Sequence, residues 1–171
     1  MKILILYTSR GGATRECAEL LRDKLAIHFS PVLVNAEEAT PSPADFDAVI
    51  IGSPIRMGRM NKTLKNYIKS HVDTLSEMPT AVFFCCGYPR QFQEYVDIQL
   101  PKGLICSLGH HCFGGELKPE KLTGFDKWVV RMLRSSIKGQ DFEESDADHH
   151  DLPELIPENI NLLVEKIEKL G

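Results

Sequence analysis

Short apolar runs alternate with amphipathic stretches along this 171-residue chain. The apolar runs occupy residues 2–7, 31–34, 48–51, 81–86 and about 111–113. Apart from Lys2 and His111, each run is apolar throughout, which is the pattern of a strand buried on both faces of a parallel sheet. We therefore expect five strands, the third of which stops at Gly52.

Residues at helical spacing fill the intervals between these runs. Helices are predicted from Thr14, after Asn61, around 91–107 and from Pro157 to the C-terminal end of the chain. Leu64, Ile68, Val72 and Leu75 favour one continuous second helix, with Asn61 as its N-cap. Alternating strands and helices predict one α/β domain over residues 1–171, in which helices cover both faces of a parallel sheet.

Composition places the chain among ordinary globular proteins, because 43% of its residues are hydrophobic and 26% are charged. The net charge of −4 argues against a nucleic-acid-binding protein, which usually carries a basic surplus. The apolar run at the N-terminus is too short for a signal peptide or a membrane span. We therefore expect a cytoplasmic protein.

The loop after the first apolar run carries the clearest chemistry. It joins two glycines to the hydroxyl residues Thr8, Ser9 and Thr14, directly before a helix. Glycines allow backbone N–H groups to face an anion, hydroxyls add donors, and the helix N-terminus adds a favourable dipole. The nucleotide-triphosphate and dinucleotide motifs are both absent, so the loop favours a terminal monophosphate ester.

This loop resembles the FMN-phosphate signature of flavodoxins. Ser9, Gly12 and Thr14 match its serine, glycine and threonine, while Ala13 replaces the common asparagine. Together with Ile51–Gly58, the loop is similar to the branch that contains the menaquinone-dependent protoporphyrinogen oxidases. The resemblance implies a flavodoxin-like three-layer sandwich whose five parallel strands lie in the order 2-1-3-4-5.

The resemblance also implies FMN as the cofactor and three loops that hold it. Gly58 is the candidate for a backbone carbonyl that meets the flavin N5–H, and Tyr88 is the candidate stacking aromatic. The expected FMN-binding residues are Thr8, Ser9, Arg10, Gly11, Gly12, Ala13, Thr14, Ser53, Pro54, Ile55, Arg56, Met57, Gly58, Cys86, Gly87 and Tyr88.

Cations surround the expected flavin. The second and third loops carry Arg56, Arg59, Lys62 and Arg90 and no carboxylate. Such a field favours the anionic reduced flavin and attracts an anionic substrate or an acidic partner. It favours an oxidoreductase over an acidic electron carrier. The resemblance implies a quinone or similar acceptor, with protoporphyrinogen oxidation as the most specific form of the activity.

Two alternatives stay open at this point: a one-electron carrier flavodoxin, and a flavin-free binding module on the same fold. Against porphyrin oxidation, the stretch from Gly87 to His110 looks shorter than the matching region of those oxidases. No protein acid or base is assigned, because the flavin itself would supply the redox chemistry. Residues 125–137 combine aromatic residues with cations, either as a helix covering the sheet or as a peripheral membrane contact.

The five cysteines are expected to be free thiols in a reducing compartment. Cys85 and Cys86 follow one another at the end of a strand and are read as small buried residues, with a redox pair beside the flavin as the alternative. Cys106, His110, His111 and Cys112 match no standard zinc spacing, so no metal site is expected.

Overall fold

The computed structural model describes residues 1–9, 12–115 and 155–171. The elements of the fold are β1 (Lys2–Tyr7), α1 (Ala13–Leu25), β2 (Ser30–Asn35), β3 (Ala48–Arg56), β4 (Arg59–Met60), α2 (Lys62–Ser70), α3 (Val72–Glu77), β5 (Thr80–Cys85), α4 (Phe92–Gln99), β6 (Gly109–Cys112) and α5 (Pro157–Glu168). The predicted segment 125–137 falls outside the described residues, as do Arg10 and Gly11.

The five longer strands form one sheet in the order β2-β1-β3-β5-β6, and every neighbouring pair is parallel. This order confirms the predicted 2-1-3-4-5 arrangement, with the two-residue strand β4 as an addition. β4 pairs antiparallel with the end of β3, where Ile55 lies opposite Met60 and Arg56 lies opposite Arg59.

Helices cover both faces of the sheet. On one face, Ile3 and Ile5 of β1 pack in a cluster with side chains of α1 and α5. On the other face, Leu4 and Leu6 pack in a second cluster with side chains of α2 and α4. Because successive strand residues point to opposite faces, one apolar strand supplies both cores. The three-layer arrangement is therefore confirmed.

β3 runs past the predicted stop at Gly52. Its pairing with β1 ends at Gly52, but Ser53 and Pro54 continue to pair with Phe84 and Cys85 of β5. Pro54 is tolerated because only one side of the strand is still paired with the main sheet there.

Two helix predictions were also wrong. The second helix divides at His71, which leaves the helical conformation with φ −126° and ψ 20°, and α3 begins immediately after it. The helix expected around 91–107 ends at Gln99, because Pro101 forces an extended conformation on Leu100 (φ −91°, ψ 146°). The N-cap prediction at Asn61 is confirmed, since its side chain accepts hydrogen bonds from the backbone N–H groups of Thr63 and Leu64.

Within the three described stretches, no helix combines the length and hydropathy that crossing a bilayer requires.

An aromatic stack fills the centre of the first core. The rings of Phe83 and Phe113 lie 4.3 Å apart at an interplanar angle of 20°. The ring of Phe83 lies against the backbone of Gly52, so that a Cβ at position 52 would overlap it. Phe83 and the Phe113 ring stacked on it are both fully buried, so the Phe83 ring cannot move aside.

Replacing Gly52 by alanine is therefore expected to destabilise the protein by about 3 kcal/mol, the upper end of the usual cost of overpacking a core. Urea unfolding measures this loss as a lower midpoint, provided that the m-value is the same as in the wild type. Gly103→Ala is the matched control, because an added Cβ there meets nothing within 4 Å; its effect should stay within about 0.5 kcal/mol. Equal midpoints for the two variants would show that the Phe83 ring yields.

Candidate functional site

Three strand ends meet at one edge of the sheet. β1, β3 and β5 are neighbours and run parallel, so their carboxyl ends lie side by side. The chain order reverses between β1 and β3, which is the position where open α/β sheets bind ligands. The loops at these ends, 8–12, 53–61 and 86–91, contain all the described residues that the sequence assigned to a cofactor, apart from Ala13 and Thr14 at the start of α1.

The first loop begins with a buried hydroxyl. Thr8 is 1% exposed, and its Oγ1 has no hydrogen-bond partner among the described residues; the other such buried side-chain atom is Oε2 of Glu19. The backbone N–H of Thr8 donates to the Gly52 carbonyl at 3.1 Å, which ties the first loop to β3. A buried, unpaired hydroxyl costs free energy, so this group is suited to an external acceptor.

The same loop leads into the N-terminus of α1. Gly12 stands at the N-cap with φ 91°, and α1 has no side-chain cap. Its own N–H donates to Oγ of Ser9 at 3.1 Å. A Cβ on Gly12 would meet nothing within 4 Å, so open space lies beside it. The loop and the helix therefore present donors and a favourable dipole to an anion.

The second loop is a tight hairpin that the sequence did not predict. Met57 and Gly58 form its two-residue turn, with φ of 49° and 73°, as the mirror-image turn of a two-residue hairpin demands. Glycine adopts this backbone freely, whereas Met57 is strained there by about 1 kcal/mol or more. The Met57 side chain is fully exposed at the tip.

Ser53 and Asn61 close the base of the hairpin. Ser53 is fully buried, and its Oγ accepts from the backbone N–H of Asn61 at 3.1 Å and donates to the Pro54 carbonyl at 3.0 Å. Asn61 also donates from Nδ2 to Glu37 at 3.3 Å. The side chain of Ser53 is thus fully used inside the protein.

Gln99 is the site residue that the sequence reasoning missed. It lies at the end of α4 and is 5% exposed. Its Nε2 donates to the Gly58 carbonyl at 2.9 Å, while its Oε1 accepts from the Met60 N–H at 3.4 Å and from Nζ of Lys65 at 3.3 Å. A glutamine in an amphipathic helix gives no sequence signal for such a contact.

The third loop places an aromatic side chain at the rim. Tyr88 is 67% exposed, and an added Cβ on the preceding Gly87 would meet nothing within 4 Å. The loop continues into a single 3₁₀ turn at Pro89–Gln91, which carries the exposed Arg90.

The consecutive cysteines Cys85 and Cys86 do not form a pair. Cys85 faces the first core, where its Sγ lies 3.7 Å from Cys17, and Cys86 faces the second core, 3.6 Å from Cys112. Burial raises the pKa of the Cys17 thiol well above its usual value. The hydrogen bond with the Cys86 thiol lowers the pKa of Cys112 to about 7. All of them are free thiols.

The comparisons with known proteins agree with this geometry. Residues 4–144 match the sequence model of a family described as a flavodoxin domain. The chain belongs to the flavodoxin domain family. The two-electron reduced flavodoxin of Megasphaera elsdenii superposes with a TM-score of 0.52 at 16% identity, over 64% of this chain and 84% of that flavodoxin. At this identity the likeness establishes the fold alone.

Curated relatives of the chain include proteins named as dehydrogenases. The chain is 35% identical over 150 residues to the protoporphyrinogen IX dehydrogenase (quinone) of Escherichia coli K12, covering 82% of each chain. It is 28% identical over 113 residues to the NAD(P)H dehydrogenase (quinone) of Paracoccus denitrificans, covering 60% of this chain and 54% of that enzyme. Quinone-dependent dehydrogenases are thus among its relatives.

Asn61 is expected to contribute to the stability of this flavodoxin-type site as a helix cap and through its side-chain hydrogen bond to Glu37. Asn61→Ala should lower the free energy of unfolding by about 1–2 kcal/mol, since it removes a cap and a further hydrogen bond. Asn66→Ala is the matched control, because Asn66 is exposed in the interior of the same helix. The control should gain about 0.5 kcal/mol of stability from the higher helix propensity of alanine. Loss of stability in both variants would contradict the capping role.

Proposed function

We propose that this chain binds FMN and acts as an oxidoreductase that passes electrons from a reduced donor to a quinone or similar acceptor. The observation that carries the proposal is the buried hydroxyl of Thr8, which has no partner among the described residues, in the loop that leads to the N-terminus of α1. A phosphate ester would supply an acceptor to this hydroxyl and to the first N–H groups of α1.

The phosphate belongs in the first loop. Residues 8–14 would hold it, with the Thr8 hydroxyl and the first N–H groups of α1 as donors. Neutral donors suffice for a monoester, so the lack of a lysine in this loop does not count against it. The orphaned Thr8 Oγ1 and the open space beside Gly12 both fit this group.

The flavin ring belongs between the second and third loops. Met57 and Tyr88 are apolar or aromatic side chains that stand exposed on these loops, and open space lies beside Gly58 and Gly87. A flat aromatic ring between the loops would cover part of both side chains. Residues 54–58, 87 and 88 would contact it. Ser53 and Cys86, which the sequence also assigned to the flavin, are 0% and 1% exposed as whole residues and would support the loops from beneath.

The bound cofactor would supply one- and two-electron chemistry. The chain's own residues would bind it, orient it and set the charge around it. Arg56 and Arg59 lie opposite one another across the hairpin. Like charges in directly opposed positions repel each other, so this pair favours a nearby anion. An anionic reduced flavin or an anionic substrate would relieve that repulsion.

The names of the relatives support a quinone as acceptor and protoporphyrinogen as a candidate donor. The match to the protoporphyrinogen enzyme covers 82% of each chain. The shorter stretch from Gly87 to His110 still argues against porphyrin chemistry. The propionate groups of a porphyrin are the kind of anion that the exposed arginines attract. A cytoplasmic location with peripheral membrane contact through 125–137 stays a prediction from the sequence.

Anaerobic reduction of the FMN-loaded protein tests the activity. The panel consists of NAD(P)H, a menaquinone and protoporphyrinogen, and absorbance records both the electron count of each step and the turnover of quinone. Quinone-coupled turnover with at least one donor supports the enzyme. Reduction in separate one-electron steps without quinone turnover would identify a carrier, and a colourless protein that takes up no FMN would identify a binding module.

Thr8→Val tests the phosphate contact. Removal of an unsatisfied buried hydroxyl should leave the FMN-free protein equally stable or more stable by about 1 kcal/mol. FMN affinity should nevertheless fall about ten-fold or more, since a hydrogen bond to a charged group is lost. Riboflavin, which lacks the phosphate, should bind wild type and variant equally well. Fluorescence quenching measures both affinities, and urea unfolding measures the stability.

Thr80→Val is the matched control for this variant. Thr80 is also fully buried, but its Oγ1 donates to the Leu75 carbonyl at 2.7 Å. Its replacement should cost about 1–2 kcal/mol of stability, because the hydrogen bond is lost and the carbonyl is left unpaired. Its affinity for FMN should not change. Equal loss of FMN and riboflavin binding in Thr8→Val would contradict the phosphate assignment.

Replacing Arg56, Arg59 and Arg90 together by glutamine tests the cationic rim. The variant should lower the two-electron midpoint potential by about 20 mV, given the small energy of exposed charge pairs and a two-electron couple. High salt should diminish the difference, because it screens exposed charges. Lys69→Gln, an exposed cation at the other end of α2, should leave the potential unchanged. A midpoint potential that does not fall would show that these three arginines do not stabilise the reduced flavin.

A further inference from the structure

Gln99 connects three elements through one buried amide. It is the last residue of α4, and it contacts the hairpin at Gly58 and Met60 and α2 at Lys65. At 5% exposure the amide is shielded from water. The bond to the Gly58 carbonyl has an ordinary length of 2.9 Å, while the bonds from Met60 and Lys65 are longer. A buried amide that lost these partners would cost free energy.

The orientation of this amide is determined by its partners. The Lys65 ammonium and the Met60 N–H can only donate, so they require the oxygen of Gln99. The Gly58 carbonyl can only accept, so it requires the nitrogen. All three partners therefore agree on one orientation, in which the Gly58 carbonyl is held by the Gln99 NH₂ group.

The held carbonyl belongs to a strained turn. Met57 keeps a left-handed backbone at φ 49° directly before Gly58. Such backbone persists only where the surrounding contacts determine it. The amide of Gln99 supplies two of those contacts, one on the turn itself and one on β4.

We propose that Gln99 is the positioning residue of the Met57-Gly58 turn and that it lowers the reduction potential of the flavin bound there. The inference rests on the proposed function. Flavin N5 is an acceptor when oxidised and carries a hydrogen when reduced, so a carbonyl facing N5 stabilises the reduced form alone. The hydrogen bond from Gln99 to the Gly58 carbonyl has to break before this carbonyl accepts a hydrogen bond from the flavin N5–H. Gln99 thus stabilises the turn that receives oxidised flavin and competes with the contact that favours reduced flavin.

The first experiment needs no cofactor. Trypsin cleaves after Arg56 and Arg59, which flank the turn. Gln99→Met keeps the side-chain length and removes all three hydrogen bonds, and it should speed cleavage at these two positions in the FMN-free protein about ten-fold. Gln99→Glu keeps an acceptor for Met60 and Lys65 and lacks the donor to Gly58, so its rate should lie between wild type and Gln99→Met. Mass spectrometry identifies the bonds that are cut.

Gln93→Met is the matched control. Gln93 is exposed on the same helix, and its Nε2 donates to Asp97 within that helix at 3.0 Å. Trypsin should cleave this variant after Arg56 and Arg59 at the wild-type rate. Wild-type rates in Gln99→Met as well would overturn the positioning role.

The second experiment uses the FMN-loaded protein. Gln99→Met should lower the affinity for oxidised FMN about five-fold and leave the affinity for reduced FMN unchanged. By the linkage of affinity to potential, the two-electron midpoint potential should then rise by about 20 mV. A role in stability alone would weaken both redox forms equally and leave the potential at the wild-type value, which would overturn the redox part of the proposal.

The two experiments separate this inference from the proposed function. If the wild-type protein takes up no FMN, the proposed function fails and the effect on potential fails with it. The trypsin result still decides whether Gln99 positions the turn. If the wild-type protein binds FMN and both Gln99→Met results equal the control, the proposed function stands and the inference fails.

Discussion

The rest of the structure depends on the backbone pairing of β3 with β1 on one side and β5 on the other. This pairing sets the carboxyl ends of three strands next to each other, and the N–H of Thr8 bonded to the Gly52 carbonyl fastens the first loop to the second. Close packing underneath maintains the register, because the backbone at Gly52 leaves room only for the ring of Phe83. The loops are therefore presented by a scaffold that shifts little, as a precise ligand site requires.

Several locally unfavourable features lie in the loops after β1 and β3. In the part of the chain that the structure describes, the buried hydroxyl of Thr8 has no partner, α1 starts without a side-chain cap, and Met57 holds a left-handed backbone. Arg56 and Arg59 oppose like charges across two strands. Proteins usually break local rules at functional sites, where a ligand removes the cost. A molecule with a phosphate at one end and a flat ring at the other would meet most of these needs at once.

The strands, the helices on both faces and the first loop could be predicted from the sequence, because buried parallel strands and phosphate-binding turns follow local patterns. The strand order came from the resemblance to flavodoxins, since local patterns left several topologies open. Prediction from the sequence failed where distant contacts decide the structure. β3 continues past Gly52 only because β5 and β4 offer partners, and the hairpin at Met57 and Gly58 exists only through that pairing. The early end of α4 was readable from Pro101. Gln99 was not, since its partners lie 34 to 41 positions away along the chain.

The alternation of side chains along β5 has a consequence for the buried thiols. Cys85 and Cys86 belong to opposite faces, so the sheet separates the Cys17–Cys85 contact from the Cys86–Cys112 contact. A link between Cys17 and Cys112, or between Cys85 and Cys106, would have to cross the sheet, which the folded chain forbids. The connectivity of a disulfide recovered from an oxidised sample therefore shows whether its two cysteines could have met in the folded chain. A same-face link is compatible with the folded chain, whereas a cross-face link requires that the sheet was open when the bond formed.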